Sequence, residues 1–275
     1  MSAQKPLIDN GNPRKYFYKN DIAIQYDEER SVEKKWSTEL AIISKIVAKI
    51  DPEASILDVP LGTGRFLKIY GEKGRRILVG ADISMDMLLQ ARRKTESQPT
   101  TNRAWMIVGD AESLPMKDHS IDYVVCIRFL NWLSGAHLDK VLTECQRVAR
   151  RGLIVGVRVH RGLRPYDLIR LRAPYIKPAL NHLLESARLA LARRVSRFGQ
   201  TRPRSKREAL KDGLPPYDNE INEFKIHDDS HMRNLFAKLR LKIARKYTVD
   251  VQWDDDAKRL LPYSIFLLKI ENSPI

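Results

Sequence analysis

Between Ser55 and Val159, short runs rich in β-branched residues alternate with longer stretches of helical periodicity, and that alternation admits few folds. Strands separated by helix-length segments cannot pair as hairpins. They pair in parallel through right-handed crossovers, as βαβ units. The pattern predicts strands at Ser55–Val59, Ile77–Asp82, Ala104–Gly109, Ile121–Cys126 and Leu153–Val159, with helices at Gly64–Tyr70, Met85–Lys94 and Leu138–Val148 between them. Leu40, Ile43, Ile46 and Val47 recur at helical spacing within Val32–Ile50, so a helix is expected to lead into the first strand.

The regularity breaks after the fifth strand. A helix near Ser230–Leu239, a strand near Leu241–Val249 and a last strand at Tyr263–Ile270 follow only after roughly 60 residues, where α/β connections usually take a handful. The expected fold is α/β: a doubly wound, Rossmann-like, seven-stranded and mostly parallel sheet with a basic helical insertion after the fifth strand. Residues 1–20 read as a flexible arm, 21–275 as one domain, and 159–220 within it as the insertion. Charge supports that division: residues 159–210 hold 13 Lys+Arg against 3 Asp+Glu, a large share of a net charge of +15. Such a field attracts anionic partners.

The first predicted strand runs into Asp58-Val59-Pro60-Leu61-Gly62-Thr63-Gly64, a glycine turn between strand and helix at the carboxyl edge of the sheet, where ligands approach the backbone. A dinucleotide site needs a third glycine, and Leu67 stands there; a P-loop needs Gly-Lys-Ser/Thr, which is absent. Asp58 would repel a pyrophosphate and suits an ammonium group. Asp82 ends the second strand, where a carboxylate can accept both hydroxyls of a ribose. Asp110 follows the third strand, placed to accept from an exocyclic adenine amine. Asp58 or Asp110 alone reads equally well as a cap or turn residue. Together they describe a cationic adenosine ligand without phosphate, and S-adenosylmethionine fits.

The motifs Asp58-Val-Pro-Leu-Gly-Thr-Gly64, Asp82-Ile-Ser-Met-Asp-Met-Leu88, Gly109-Asp-Ala-Glu-Ser-Leu-Pro115 and Ile121-Asp-Tyr-Val-Val-Cys126 make the chain resemble the class I S-adenosylmethionine-dependent methyltransferases. The likeness is to the type 11-like subgroup that includes the quinone-biosynthesis enzymes. It runs from about Phe17 to Leu142 and resumes weakly from His227 to Ile270. The resemblance implies that Asp58, Gly62 and Gly64 line the methionine moiety, that Asp82 holds the ribose, and that Asp110 with Ala111 holds the adenine edge. It also implies that Ile83 packs on the adenine ring and that Tyr26, in a lid segment Asn20–Asp27, covers the cofactor. Pro60 departs from the family's usual glycine and removes one backbone donor from the turn.

The acceptor is less constrained. Arg128 and Asn131, after the fourth strand, lie where the resemblance places the wall between cofactor and acceptor, whereas Trp132 and Leu133 read as core. His160, after the fifth strand, is the positional candidate for a general base, and a surface or anion-contact role is the plainer reading of it. Neither the two cysteines nor the six histidines show metal-ligand spacing, so no metal is expected. In the insertion, Leu180, Leu184, Ala187, Leu191, Val195 and Phe198 form one apolar stripe from Pro178 to Phe198, with arginines off it and at its edges. That helix reads either as a lid packed on the domain or as an interfacial helix. The expected activity is methyl transfer to a small, hydrophobic or lipid-linked acceptor, with peripheral contact to an anionic membrane. RNA methylation and noncatalytic S-adenosylmethionine binding are the alternatives. With no apolar core in residues 1–20 and no apolar run near 18 residues, a cytoplasmic location is expected, including the inner face of a membrane.

Overall fold

A computed structural model describes residues 34–71, 77–96, 104–133, 135–162, 176, 179–188, 224–254 and 259–271. In chain order the elements are α1 (Lys34–Val47), β1 (Ile56–Asp58), α2 (Leu67–Gly71), β2 (Leu78–Asp82), α3 (Met85–Glu96), β3 (Ala104–Val108), β4 (Ile121–Cys126), a 3-10 turn at Leu130–Trp132, α4 (Gly135–Val148) and β5 (Ala149–His160). After a helix, α5, at 179–188 come β6 (His227–Asp228), α6 (Asp229–Lys238), β7 (Leu241–Asp254) and β8 (Arg259–Ile270).

Seven strands lie in the order β3-β2-β1-β4-β5-β8-β7. The expected seven becomes eight, because the two residues of β6 pair in parallel with Val159 and His160 at the end of β5. β1 to β5 are parallel, and β8 runs antiparallel to both β5 and β7. The chain order reverses between β1 and β4. That switch point opens a crevice at the carboxyl ends of the strands, the usual place for a ligand in such a sheet.

Each face of the sheet is covered by helices whose apolar spacing sent them there. On one face α1 contributes Ile43, Ile46 and Val47, α2 Leu67 and Tyr70, and α3 Leu88 and Ala91, packed over Ile56, Leu78, Val125 and Ile154. On the other, α4 and α6 pack Leu138, Val141, Leu142, Cys145, Met232, Leu235 and Phe236 over Leu57, Val79, Val124 and Leu153. Burying each such side chain contributes about 1.5 to 3 kcal/mol, so the layers hold mainly by area removed from water. Both cysteines are buried thiols in this second layer.

Several boundaries differ from expectation: β7 runs on to Asp254, β8 starts at Arg259 and α4 at Gly135, and two further shifts have local reasons. α2 starts at Leu67 instead of Gly64, because Gly64 has φ +74 and leaves the chain in a turn for one more step. β5 starts at Ala149, four residues before the apolar run. Gly152 makes the extension possible, since a Cβ there would sit 2.2 Å from the Leu268 carbonyl oxygen of β8.

Candidate functional site

The glycine turn lies at the crevice. Leu61 N–H donates to the Ala81 carbonyl at 2.8 Å, and Gly64 N–H donates to the Leu61 carbonyl at 3.1 Å, so the turn is tied to β2 and closed on itself. Gly62 has φ +55, and a Cβ on it would meet nothing within 4 Å. At Gly64 a Cβ would stand 2.8 Å from Leu67 Cδ1 and 3.0 Å from Ala91 Cβ. Gly62 therefore borders open space, while Gly64 lets α2 and α3 approach. Pro60 is partly buried, and its peptide bond with Val59 is cis.

Asp58 ends β1 at 3% exposure and accepts a hydrogen bond from the Tyr70 hydroxyl at 3.1 Å. Burial pushes its carboxyl up to about 8; Asp82 pushes the same way, and the Tyr70 bond opposes them. Asp82 ends β2, where its Oδ2 accepts from Gly62 N–H at 2.8 Å and its Oδ1 from Ser84 N–H at 2.9 Å. Burial raises it too, while these backbone bonds pull it back. The Asp82 carboxylate retains acceptor capacity for a ligand hydroxyl. Ile83 follows, half-buried, and the adjacent Gly109 N–H donates to the Asp82 carbonyl at 3.0 Å, which brings the third strand tip to the same edge. Asp110 Oδ1 accepts from Glu112 N–H at 2.9 Å, and Ala111 is buried beside it. Thus Asp58, Pro60, Gly62, Gly64, Asp82, Ile83, Asp110 and Ala111 gather at one edge. Tyr26, with its lid segment, lies outside the described residues.

This donor and acceptor set suits S-adenosylmethionine. Open space faces Gly62, paired carboxylates stand at adjacent strand tips, and a small buried residue, Ala111, lies beside Asp110. Among the described residues no group of three or more His, Cys, Asp and Glu is placed to hold a metal.

Residues 56–152 match the family model described as a methyltransferase domain. Over those residues the chain carries a methyltransferase domain. The malonyl-[acyl-carrier protein] O-methyltransferase of Hamiltonella defensa is 33% identical over 100 residues, covering 36% of this chain and 35% of that one. Its counterpart from Geobacter sulfurreducens is 31% identical over 143 residues, covering 52% and 50%. The chain thus spans about a third to a half of the length of the curated relatives it matches. Among solved structures, the magnesium protoporphyrin IX methyltransferase of Synechocystis with bound S-adenosylmethionine aligns at a TM-score of 0.59 and 12% identity, over 96% of this chain and 99% of that one. At that identity the likeness is one of fold, and it extends well beyond the methyltransferase domain match.

Around the methyltransferase domain the structure adds a cluster that sequence reasoning missed. Glu39 of α1, wholly buried, accepts from Arg65 Nη1 and, at 2.8 and 3.0 Å, from Arg128 Nε. Arg65 also donates to the Trp36 carbonyl at 2.6 Å and stacks over the Trp36 ring at 3.6 Å. Burial pulls the Arg65 guanidinium below its ordinary value, and Glu39 opposes that shift. Arg65 belongs to the glycine turn, and Arg128 sits just past β4 with φ +59. Arg128 is therefore anchored, held to α1 through Glu39. Acidic spacing gave no clue to Glu39, because its partners are 26 and 89 positions away.

Asn131 is likewise a fastener. At 2% exposure its Nδ2 donates to the Arg158 and Lys225 carbonyls, each at 2.7 Å, and its Oδ1 accepts from Arg158 N–H at 2.7 Å. Leu133 is core, as expected. Trp132 is not; it is half-buried and meets Phe224 edge-on at 5.4 Å, over the chain returning from the insertion. His160 lies on the sheet edge, with Nδ1 3.5 Å from Asp228 Oδ2 and Arg259 Nη1 3.4 Å away. Those neighbours make it part of an exposed charge cluster.

Proposed function

We propose that the chain is an S-adenosylmethionine-dependent methyltransferase acting on a small, hydrophobic acceptor or one carried on a lipid or an acyl-carrier protein. The observation that carries this reading is the gathering of Asp58, Asp82 and Asp110 at three strand tips around a glycine turn that borders open space. In it Asp82 takes the ribose, Asp58 with Gly62 and Gly64 borders the methionine end, and Asp110 with Ala111 and Ile83 borders the adenine. Tyr26 is assigned to the lid. The bound cofactor supplies an already activated methyl group on a sulfonium, so the protein's work is placement and electrostatics. Arg128 and Asn131 shape the acceptor wall through their anchors, and the insertion, residues 159–220, forms the acceptor side of a domain spanning 21–275. The carrier-linked alternative draws on the names of the curated relatives; RNA methylation has no specific observation in its favour.

Calorimetry tests the reading directly. The protein should bind S-adenosylmethionine and S-adenosylhomocysteine and not NAD. Asp82→Ala should lower affinity for both by about tenfold or more, as expected for losing charge-assisted hydrogen bonds. Unchanged affinity in that variant would refute the ribose assignment.

A further inference from the structure

Helix α5 docks by a face other than its strongest apolar stripe. Ala179 is wholly buried against Trp253 and Leu260 of the β7–β8 hairpin, and the His182 ring lies 5.5 Å from the Trp253 ring. Leu183 and Ser186 are half-buried. Positions 179, 182, 183 and 186 make one helical face, the docked one. Leu180 and Leu184 lie about 100° further round at 3.6 residues per turn, on the side away from it. They are 42% and 52% exposed; Ile176, one turn earlier, is 39% exposed, and Ala187 is exposed in line with them.

A lid helix would turn these leucines inward, since burying each gains more than leaving it in water. Here the domain takes the weaker face and leaves the stronger one outside. On the same helix Arg188 is exposed beyond the stripe and Glu185 is exposed off it, while Arg161, bridged to Leu260, and Arg259 beside it stand where the docked face meets the sheet. Residues 159–210 carry 13 basic against 3 acidic side chains. A second copy of so basic a segment would be repelled. An acidic protein would satisfy the charges but gives no reason for bare leucines in a row. An apolar stripe within a segment of 13 basic against 3 acidic side chains matches an anionic bilayer, with leucines at the acyl boundary and cationic side chains among the headgroups.

We propose that α5 docks the protein on an anionic membrane surface through Ile176, Leu180 and Leu184, with basic side chains of the same segment on the lipid headgroups. Its purpose, delivery of a lipid-borne acceptor to the carboxyl edge of the sheet, rests on the methyltransferase reading; the docking itself does not. The test is co-sedimentation of the full chain with phosphatidylcholine vesicles with and without phosphatidylglycerol, over a salt series. Binding should require phosphatidylglycerol and persist in part at high salt, because the apolar share does not depend on charge. Leu180→Asp with Leu184→Asp should reduce it by about tenfold or more. Leu180→Ser with Leu184→Ser should reduce it too, and Glu185→Gln should not. Thermal melting and S-adenosylmethionine affinity, measured on the same variants, read folding and the cofactor site separately, so failure of docking and failure of the methyltransferase reading are distinct results. The proposal is overturned if the wild-type chain ignores phosphatidylglycerol vesicles, if both leucine variants bind undiminished, or if salt abolishes binding entirely. It is equally overturned if the stripe variants change oligomeric size without vesicles, or if an acidic carrier protein displaces vesicles from the chain.

Discussion

At the scale of single residues, Asp58 carries the most specific expectation. A carboxyl raised to about 8 is protonated in the fold at neutral pH while its unfolded counterpart, near 3.8, is ionised. Its contribution to stability is therefore full below about pH 4 and is lost as pH climbs toward 8. A cationic ligand reverses that preference by favouring the carboxylate. Binding of S-adenosylmethionine at pH 6.5 should then release close to one proton, because the ligand's own amino group, with an ordinary value near 8, is already charged there. Calorimetry in two buffers of different ionisation enthalpy reads this number. Asp58→Asn should abolish the release, and a wild-type value near zero would show that Asp58 does not change protonation when the ligand binds.

At the scale of elements, the strands were legible because parallel strands buried on both faces read as short β-branched runs. β4 came out with the bounds read from Ile121–Cys126, and the three aspartates fell at strand tips because strand ends and turn residues are local signals. What could not be read was any contact set by tertiary packing. The role of α1 illustrates this: its apolar stripe announced a helix, yet nothing local announced that Glu39 would face Arg65 and Arg128. The helix lies before the segment that matches the methyltransferase domain and still holds two of its loops. The same limit explains α5, whose stripe was visible while the choice of docked face depended on Trp253 and Leu260, far along the chain. Glu39→Gln keeps the shape and removes the charge, taking the shared carboxylate from two part-buried guanidinium groups. It should cost about 3 to 5 kcal/mol in urea unfolding, the usual penalty for breaking a buried ion pair from one side. A loss under about 1 kcal/mol would mean water already compensates the arginines.

At the scale of the whole molecule, the residues assigned to the cofactor precede residue 134, and the segment after the insertion is joined to them by the β5–β8 pairing from Gly152 with Lys269 to Arg158 with Tyr263, by the shared cores and by local stitches. Lys225 N–H donates to the Asn131 carbonyl at 2.6 Å, Asn131 Nδ2 returns to the Lys225 carbonyl, and β6 adds two residues to β5. These stitches lie at the end of the insertion, in the segment from Phe224 onward. Among the described residues the insertion's own helix touches the sheet through a small cluster, Ala179 with Trp253 and Leu260, separate from both main cores. No helix among the described residues is long and apolar enough to cross a membrane. Replacing 163–207 with a Gly-Ser linker therefore removes α5 and spares both stitches. S-adenosylmethionine affinity should stay within about threefold of the intact chain, because every assigned cofactor contact precedes residue 134 and free-energy changes at distant, unshared sites are small. Methyl transfer from labelled donor into whole-cell extract should fall by about a hundredfold, the scale on which losing the placement of an acceptor costs rate. Retained cofactor binding with undiminished labelling would show that the acceptor is held by the sheet edge alone, and would assign the insertion to a task other than catalysis.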